Sequence, residues 1–126
     1  MHPLIRFESA LFDASGEPEN PINPIFGYSL LEWLRTKIPE LSLPEPEDWG
    51  WFSTIVVDEH CYLLGASGEG PCLPSMEWTL QVAKFRTRNP SSREVRLEDD
   101  DICLASVLAV LGSEPRIKYL AIEHAT

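Results

Sequence analysis

The chain has 126 residues, 44% of them hydrophobic, and a formal net charge of -10. That length is sufficient for one domain with its own hydrophobic core, and we expect residues 1–126 to form it. The excess of 20 acidic over 10 basic residues would repel nucleic-acid phosphates and anionic membranes over most of the surface, which excludes both as general partners and favours a basic protein.

The amino terminus and the cysteines predict a cytoplasmic protein. No basic leader followed by an apolar stretch opens the sequence, so no signal peptide is expected. No apolar run approaches the roughly 18 residues that a membrane span requires. Cys61, Cys72 and Cys103 are an odd number of cysteines without paired short spacing, which is typical of reduced thiols in the cytosol.

A strand and a long loop are the first predicted elements. Residues 4–12 are rich in β-forming side chains and predict a strand. Residues 13–27 contain three prolines, two glycines and two asparagines, which predicts a loop. Loops of this length are often functional or mobile, although Ile22, Ile25 and Phe26 could instead attach this one to the core.

The clearest helix prediction covers residues 29–39. Ser29 and Glu32 have the S-x-x-E spacing of a capping box, in which a hydroxyl and a carboxylate accept hydrogen bonds from the first free amides. Pro39 is expected to end the helix. One face of this helix carries apolar residues at helical spacing, namely Leu30, Leu31, Leu34 and Ile38.

A proline-broken connection, residues 40–50, leads into a predicted β-hairpin. Its strands are residues 51–57 and 61–66, and its turn is the polar segment 58–60. Both strands carry apolar residues on both faces, unlike a strand with one wet face. We therefore expect the hairpin to lie centrally, with helices or loops covering it.

The second half of the chain continues with a loop over residues 67–75 and a strand over residues 77–88. The acidic run 98–101 introduces a helix over residues 102–112, and residues 117–124 predict a final strand. The element order β-α-β-β-β-α-β predicts an α+β fold, with an antiparallel or mixed sheet of about five strands and two helices.

Candidate metal ligands fail on their spacing. His60 and Cys61 are adjacent and would point to opposite faces of a sheet. Neither C-x-x-C nor H-x-x-x-H occurs to supply a second pair of ligands. The acids of residues 98–101 suit the start of a helix and lack the pattern of a calcium loop. The sequence therefore predicts no metal ion and no cofactor.

Candidate catalytic groups also lack the necessary context. The glycine-rich residues 65–72 are followed by neither a helix nor a Lys-Ser/Thr pair, as a phosphate loop would require. Ser67 is not part of a G-x-S-x-G elbow, and acidic neighbours disfavour a Cys72 thiolate. Glu47 and Asp48 could serve in acid-base catalysis, but no partner is fixed for them. We predict no catalytic residue, and an enzyme is not indicated.

The strongest candidate for a binding surface is formed by the loop of residues 13–27 together with the segment EPEDWGW, residues 45–51. Residues 13–48 carry eight acids and two bases, and tryptophan is enriched at the centres of protein interfaces. If a strand begins at Trp49, then Trp49 and Trp51 share one face. Burial of both indoles under the proline-rich loop is the alternative, and one of the two is expected to enter the core. The predicted partner-binding residues are Glu45, Glu47, Asp48 and Trp49.

In size, charge and the PEPEDWGW start of a strand, residues 44–51, the chain resembles small bacterial immunity proteins of toxin-immunity systems. The resemblance implies a compact acidic α+β protein that neutralises a toxin by occluding it. It covers no catalytic motif and carries over no functional residue. Two other classes stay open: a small intracellular enzyme or ligand-binding domain using a pocket between the long loop and the sheet, and a structural or assembly subunit.

Overall fold

The computed structural model describes residues 3–69, 75–86 and 93–124. These residues form two α-helices and seven strands joined in one antiparallel sheet. In chain order the elements are β1 (Pro3–Ser9), a short 3-10 helix (Ala14–Gly16), α1 (Tyr28–Lys37), β2 (Glu45–Glu47), β3 (Gly50–Val57), β4 (His60–Glu69), β5 (Met76–Phe85), β6 (Glu94–Val95), α2 (Ile102–Gly112) and β7 (Lys118–His124).

The strands lie in the order β2-β3-β4-β5-β1-β7, and β6 pairs with the end of β5. Every pairing is antiparallel, so the α+β class and the antiparallel alternative are confirmed. The prediction of about five strands is wrong by two. The additional strands, β2 and β6, have three and two residues and are too short to show the alternation by which a strand is identified in a sequence.

Several predicted boundaries also move. β1 ends at Ser9 instead of residue 12, because the Ser9 hydroxyl accepts a hydrogen bond from the Leu11 N–H at 3.0 Å and turns the chain. Phe12 then enters the core, where its ring packs edge-on against Trp33 and Trp78. β4 continues three residues beyond the predicted end, to Glu69. Parts of the predicted loop 67–75 and strand 77–88, including Cys72, lie outside the described residues.

The hairpin formed by β3 and β4 is confirmed. Val57 pairs with His60, so the turn consists of Asp58 and Glu59 alone. Their φ angles are 49° and 72°, the left-handed conformations of a type I′ turn, whose twist matches that of the flanking strands. The predicted turn therefore shortens by one residue, because His60 belongs to β4.

Both helices pack on the same face of the sheet. α1 buries Leu30, Leu31 and Leu34 as predicted, and α2 buries its own apolar stripe, in which Val107 is fully buried. On the sheet side, every second residue of each strand points towards these helices. The buried strand residues of this covered face include Trp51, Ser53, Ile55, Tyr62, Leu64, Ala66, Trp78, Leu80 and Val82.

The opposite face of the sheet, termed the open face below, points away from both helices. Its side chains alternate with the buried ones along each strand. Phe52 and Leu63 are half-buried there and Val56 is exposed. The expectation that helices or loops would cover the hairpin thus holds for one face only, because both helices are needed on the same side to close one core.

The predicted capping box does not form at the start of α1. Glu32 instead contacts the guanidinium of Arg35 at 2.9 Å. The helix begins at Tyr28, and the free amides of Gly27, Tyr28 and Ser29 donate to the carboxylate of Glu17 at 3.0–3.1 Å. The Ser29 hydroxyl donates to the same carboxylate. A residue of the preceding loop therefore caps α1, and a contact ten residues away in sequence has no local signature.

α2 begins at a buried polar cluster centred on Asp101. The Asp101 carboxylate accepts hydrogen bonds from the amides of Cys103 and Leu104, so the prediction that the acidic run 98–101 caps this helix is confirmed at its last residue. It also accepts from the Tyr62 hydroxyl at 2.8 Å and the Lys84 ammonium at 2.9 Å. The carboxylate is thus fully paired.

The pairing sets the ionisation of the cluster. Burial by itself would raise the pKa of Asp101, but the hydrogen bonds from Lys84 and Tyr62 outweigh it and lower that pKa below its usual value. Burial, followed by the contact with Asp101, raises the pKa of Tyr62. Asp101 therefore stays ionised and Tyr62 neutral at physiological pH, as a structural cluster requires.

Glu17→Ala should lower the free energy of unfolding by about 1 to 3 kcal/mol, because it leaves amides at the start of α1 without an acceptor. Glu32→Ala is the matched control and should change stability by less than about 0.5 kcal/mol, since it removes only a surface contact. Urea unfolding of both variants measures the difference. Equal losses would show that the capping box contributes after all.

Asp101→Asn should lower the free energy of unfolding by about 2 to 4 kcal/mol at neutral pH, since it leaves the half-buried Lys84 ammonium without its counter-charge. A lowered pKa in the folded protein stabilises it above the unfolded-state value near 4, and that stabilisation disappears as the pH falls through the folded pKa. The wild type should therefore lose stability on acidification more steeply than the variant. Glu98→Gln, at an exposed position, should retain the wild-type profile; parallel wild-type and Asp101→Asn profiles would contradict this role.

Candidate protein-binding surface

The long loop holds the turn between β2 and β3 in place. Asn20 is 6% exposed, and its side-chain amide donates to the carbonyl oxygens of Glu47 at 3.0 Å and Gly50 at 2.8 Å. Asn23 donates to the carbonyl oxygen of Asp48 at 2.8 Å. Two asparagines of the loop thus hold three backbone carbonyls at this turn. A binding segment that is held in this way is pre-organised.

The loop itself is attached to the sheet. The amide of Gly68 donates to the carbonyl oxygen of Phe26 at 2.9 Å, and the Trp51 indole N–H donates to that of Ile25 at 3.2 Å. Phe26 also packs against the core, so its predicted attachment is confirmed, whereas Ile25 is joined to the sheet through its backbone carbonyl. Ile22 does not take part, because its side chain is 57% exposed.

Trp51 is the core member of the tryptophan pair. Its side chain is 4% exposed and lies on the covered face of β3. Its ring meets that of Tyr28 edge-on, with 5.0 Å between ring centroids. Together with the hydrogen bond to the loop, these contacts make Trp51 the residue that joins β3, α1 and the loop.

Trp49 lies on the other side of the sheet. β3 begins at Gly50, so Trp49 belongs to the two-residue turn after β2, and the prediction that Trp49 and Trp51 share a face is wrong. The alternative of two buried indoles is also wrong, since Trp49 is only half-buried. Its ring lies over Gly65 on the open face: a Cβ at Gly65 would be 2.5 Å from the indole. Only glycine leaves room for this contact.

The acidic residues join Trp49 on the open face. In the register of β2 and β3, Glu45 pairs with Phe52 and Glu47 pairs with Gly50, and paired residues point to the same face. Asp48 is exposed in the turn. The four predicted residues are therefore brought together, and Phe52 joins them. We call this set the acidic aromatic surface: Glu45, Glu47, Asp48, Trp49 and Phe52.

Sequence reasoning missed three residues that build this surface. Phe52 could have been found, because it alternates with Trp51 along a strand and so must face the opposite way. Asn20 and Gly65 could not, because their roles depend on contacts with residues that are distant in sequence.

Charge is segregated around this surface. Between Lys37 and Lys84 the chain contains eight acidic residues and no lysine or arginine. β2, β3 and β4 lie entirely within that stretch. Three adjacent strands therefore present negative charge without internal compensation, which creates a potential that attracts cationic groups.

An apolar cleft of about 200 Å³ lies elsewhere, between the end of α1, the start of α2 and the sheet. A ligand pocket was expected between the long loop and the sheet, whereas this cleft lies at the helices. Burial, followed by the charge of Asp101, raises the pKa of the Cys103 thiol to about 12, so this thiol is not a nucleophile at neutral pH. The lining residues include Leu41, Ile55, Val57, Ile102, Cys103 and Val107.

Neither ligand geometry nor similarity to known proteins assigns a function. Within residues 3–69, 75–86 and 93–124, no three His, Cys, Asp or Glu side chains come together as they would to hold a metal ion. Neither α1 nor α2 has the length and apolar character needed to cross a membrane. Comparison with protein families, curated proteins and solved structures gives no match for this chain.

Gly65→Ala should destabilise the protein by about 1 to 3 kcal/mol, because the added methyl group overlaps the Trp49 ring. In the Trp49→Ala background the same substitution should cost at least about 1 kcal/mol less, since the overlapping ring is absent and only the Gln81 side-chain amide, 2.8 Å from the added Cβ, has to move. Chemical unfolding of the two single variants and the double variant gives this coupling. Additive effects would show that the indole does not rest on Gly65.

Proposed function

We propose that this chain is a non-catalytic, acidic protein-binding domain that binds a basic protein partner through the acidic aromatic surface. The observation that supports this most directly is the placement of Trp49. Its indole is half-buried on an open sheet face, in a turn that the loop fixes through Asn20 and Asn23. An aromatic side chain held in one position and surrounded by acids is suited to a basic partner.

The acids and the aromatic rings have different parts in this proposal. Exposed carboxylates raise the rate of encounter with a basic partner, and salt screens that effect. A desolvated aromatic anchor mainly slows dissociation. Because the turn is already ordered, binding does not require the entropic cost of ordering it.

Neutralisation of a basic toxin by occlusion is the form of this function that the resemblance to immunity proteins implies, and we include it in the proposal. A ligand-binding domain is the second candidate, favoured by the apolar cleft between the helices and the sheet. The two candidates use different surfaces. Substitutions in the acidic aromatic surface therefore separate them.

The test begins with parallel affinity capture on four immobilised baits: the wild type, Trp49→Ala and two triple variants that each remove three negative charges. A partner bound through the acidic aromatic surface should be retained by the wild type and the control triple, and depleted on the other two. The test triple is Glu45→Gln, Glu47→Gln and Asp48→Asn, and the matched control is Glu98→Gln, Asp99→Asn and Asp100→Asn at exposed positions before α2.

Binding kinetics with the captured partner then distinguish charge from anchor. The test triple should lower the association rate constant about tenfold or more and flatten its salt dependence. Trp49→Ala should instead raise the dissociation rate constant about 30-fold, equivalent to about 2 kcal/mol. Equal weakening by the test and control triples would contradict the assigned surface, because net charge alone would then explain binding. If the partner is a toxin, co-expression of the wild type should restore growth and Trp49→Ala should do so poorly.

A further inference from the structure

The strand β7 forms one end of the sheet, and it is longer than β2, the strand at the other end. β7 pairs with β1 on one side, and among the described residues no strand pairs with its other side. It has seven residues and no proline, and Tyr119, Leu120 and Ile122 are 78%, 38% and 41% exposed. Long apolar edges of this kind are templates for pairing with another strand.

The opposite end of the sheet is protected. β2 has only three residues, and Pro46 at its centre lacks an N–H. Glu45 and Glu47 add charge to it. Short length, proline, charge and β-bulges are features by which edge strands avoid pairing. β2 combines the first three, whereas β7 is longer and lacks proline, so β7 has the greater capacity to bind a strand.

A β-bulge gives β7 its particular charge arrangement. Arg6 pairs with Ala121 and Glu8 pairs with Lys118, so three steps along β7 match two steps along β1. Tyr119 lies within the bulge at φ 58°, a conformation that costs energy in a bulky residue. Lys118 and Glu123 are five residues apart and would otherwise point to opposite faces, but the bulge places both on the open face.

We propose that β7 pairs antiparallel with β7 of a second copy of this chain. A two-fold axis at Ala121 places Ala121 opposite its own copy. Because the bulge residues Tyr119 and Leu120 together occupy one position along the strand, the axis places Ile122 opposite this bulge. It places Glu123 of each copy opposite Lys118 of the other. Small, apolar and oppositely charged residues thus meet in one register, which is self-complementary as a two-fold interface must be.

Charge permits this contact at β7 even though the chain carries a net charge of -10. Arg6 contacts Glu123 at 3.1 Å and Arg116 contacts Glu114 at 2.9 Å. Lys118 lies opposite Glu8 across the β1–β7 pair. Positive and negative groups are therefore balanced at this end of the molecule, and two copies can approach here without the repulsion that their β2 ends would generate.

One added strand pair buries less area than a standard protein interface, so the dimer is expected to be weak and concentration-dependent. Its interface lies at the end of the sheet away from the acidic aromatic surface. Dimerisation and partner binding therefore do not compete, and this proposal stands independently of the proposed function.

Engineered cysteines test the position of the axis. Opposed Cα atoms in an antiparallel pair lie about 4.5 to 5.5 Å apart, within the range that a disulfide spans. Ala121→Cys should form a disulfide-linked dimer under mild oxidation. Ala105→Cys, at an exposed alanine of α2, is the matched control, and both variants keep the three native cysteines. Cross-linking of Ala121→Cys at least tenfold faster than the control supports the proposal, and equal rates overturn it.

Sedimentation velocity of the unmodified chain from low-micromolar to near-millimolar concentration tests dimerisation itself. The wild type should shift towards twice its 14.2 kDa mass. Ala121→Glu should weaken dimerisation at least tenfold, because it places two like charges on the axis, whereas Ala105→Glu should not. A wild type that stays monomeric throughout overturns the proposal, as does a dimer unaffected by Ala121→Glu.

Amide hydrogen exchange of residues 120–123 tests the same edge without any substitution. Exchange that becomes slower as the wild-type concentration rises supports the proposal, and exchange that does not depend on concentration contradicts it.

Discussion

Packing of both helices on one face of the sheet is the constraint on which the other features of this molecule depend. α1 and α2 together bury the inward-facing residues of β3, β4 and β5 in one core. No further α-helix of the described residues remains for the opposite face. That face keeps half-buried aromatic and aliphatic side chains in contact with solvent. The acidic aromatic surface exists because the sheet is covered on one side only.

Two polar side chains of the long loop organise the elements on either side of it. Glu17 caps α1 through its backbone amides, and Asn20 fixes the turn after β2 through two carbonyl oxygens. Buried backbone groups need partners, and each of these side chains supplies partners to an element other than its own. A loop of prolines and polar residues is thereby joined by hydrogen bonds both to α1 and to the turn that contains Trp49.

Charge divides the sheet into two ends with different properties. β2, β3 and β4 contain no lysine or arginine, whereas arginines and lysine near β7 lie beside carboxylates. The first end attracts cations, and the second is nearly neutral. A single net charge for the chain conceals this division, since it adds a strongly acidic end to a balanced one.

The sequence by itself determined those features that depend on local periodicity and local capping. Four features depend on residues within a few positions of one another, and all could be predicted: the apolar spacing of α1, the β3–β4 hairpin, the acidic cap of α2 and the clustering of acids near Trp49.

The tertiary structure alone decided the rest. Glu17 replaced the Ser29–Glu32 capping box because a distant carboxylate reached the same amides. Trp49 and Trp51 were separated onto two faces because a turn, stabilised by Asn20, ended one residue later than the alternation suggested. β2 and β6 formed because β3 and β5 offered them an edge, and strands this short acquire their hydrogen bonds only from a neighbour that already exists. Contacts between residues far apart in sequence leave no periodic trace, so only the folded chain shows which of them form.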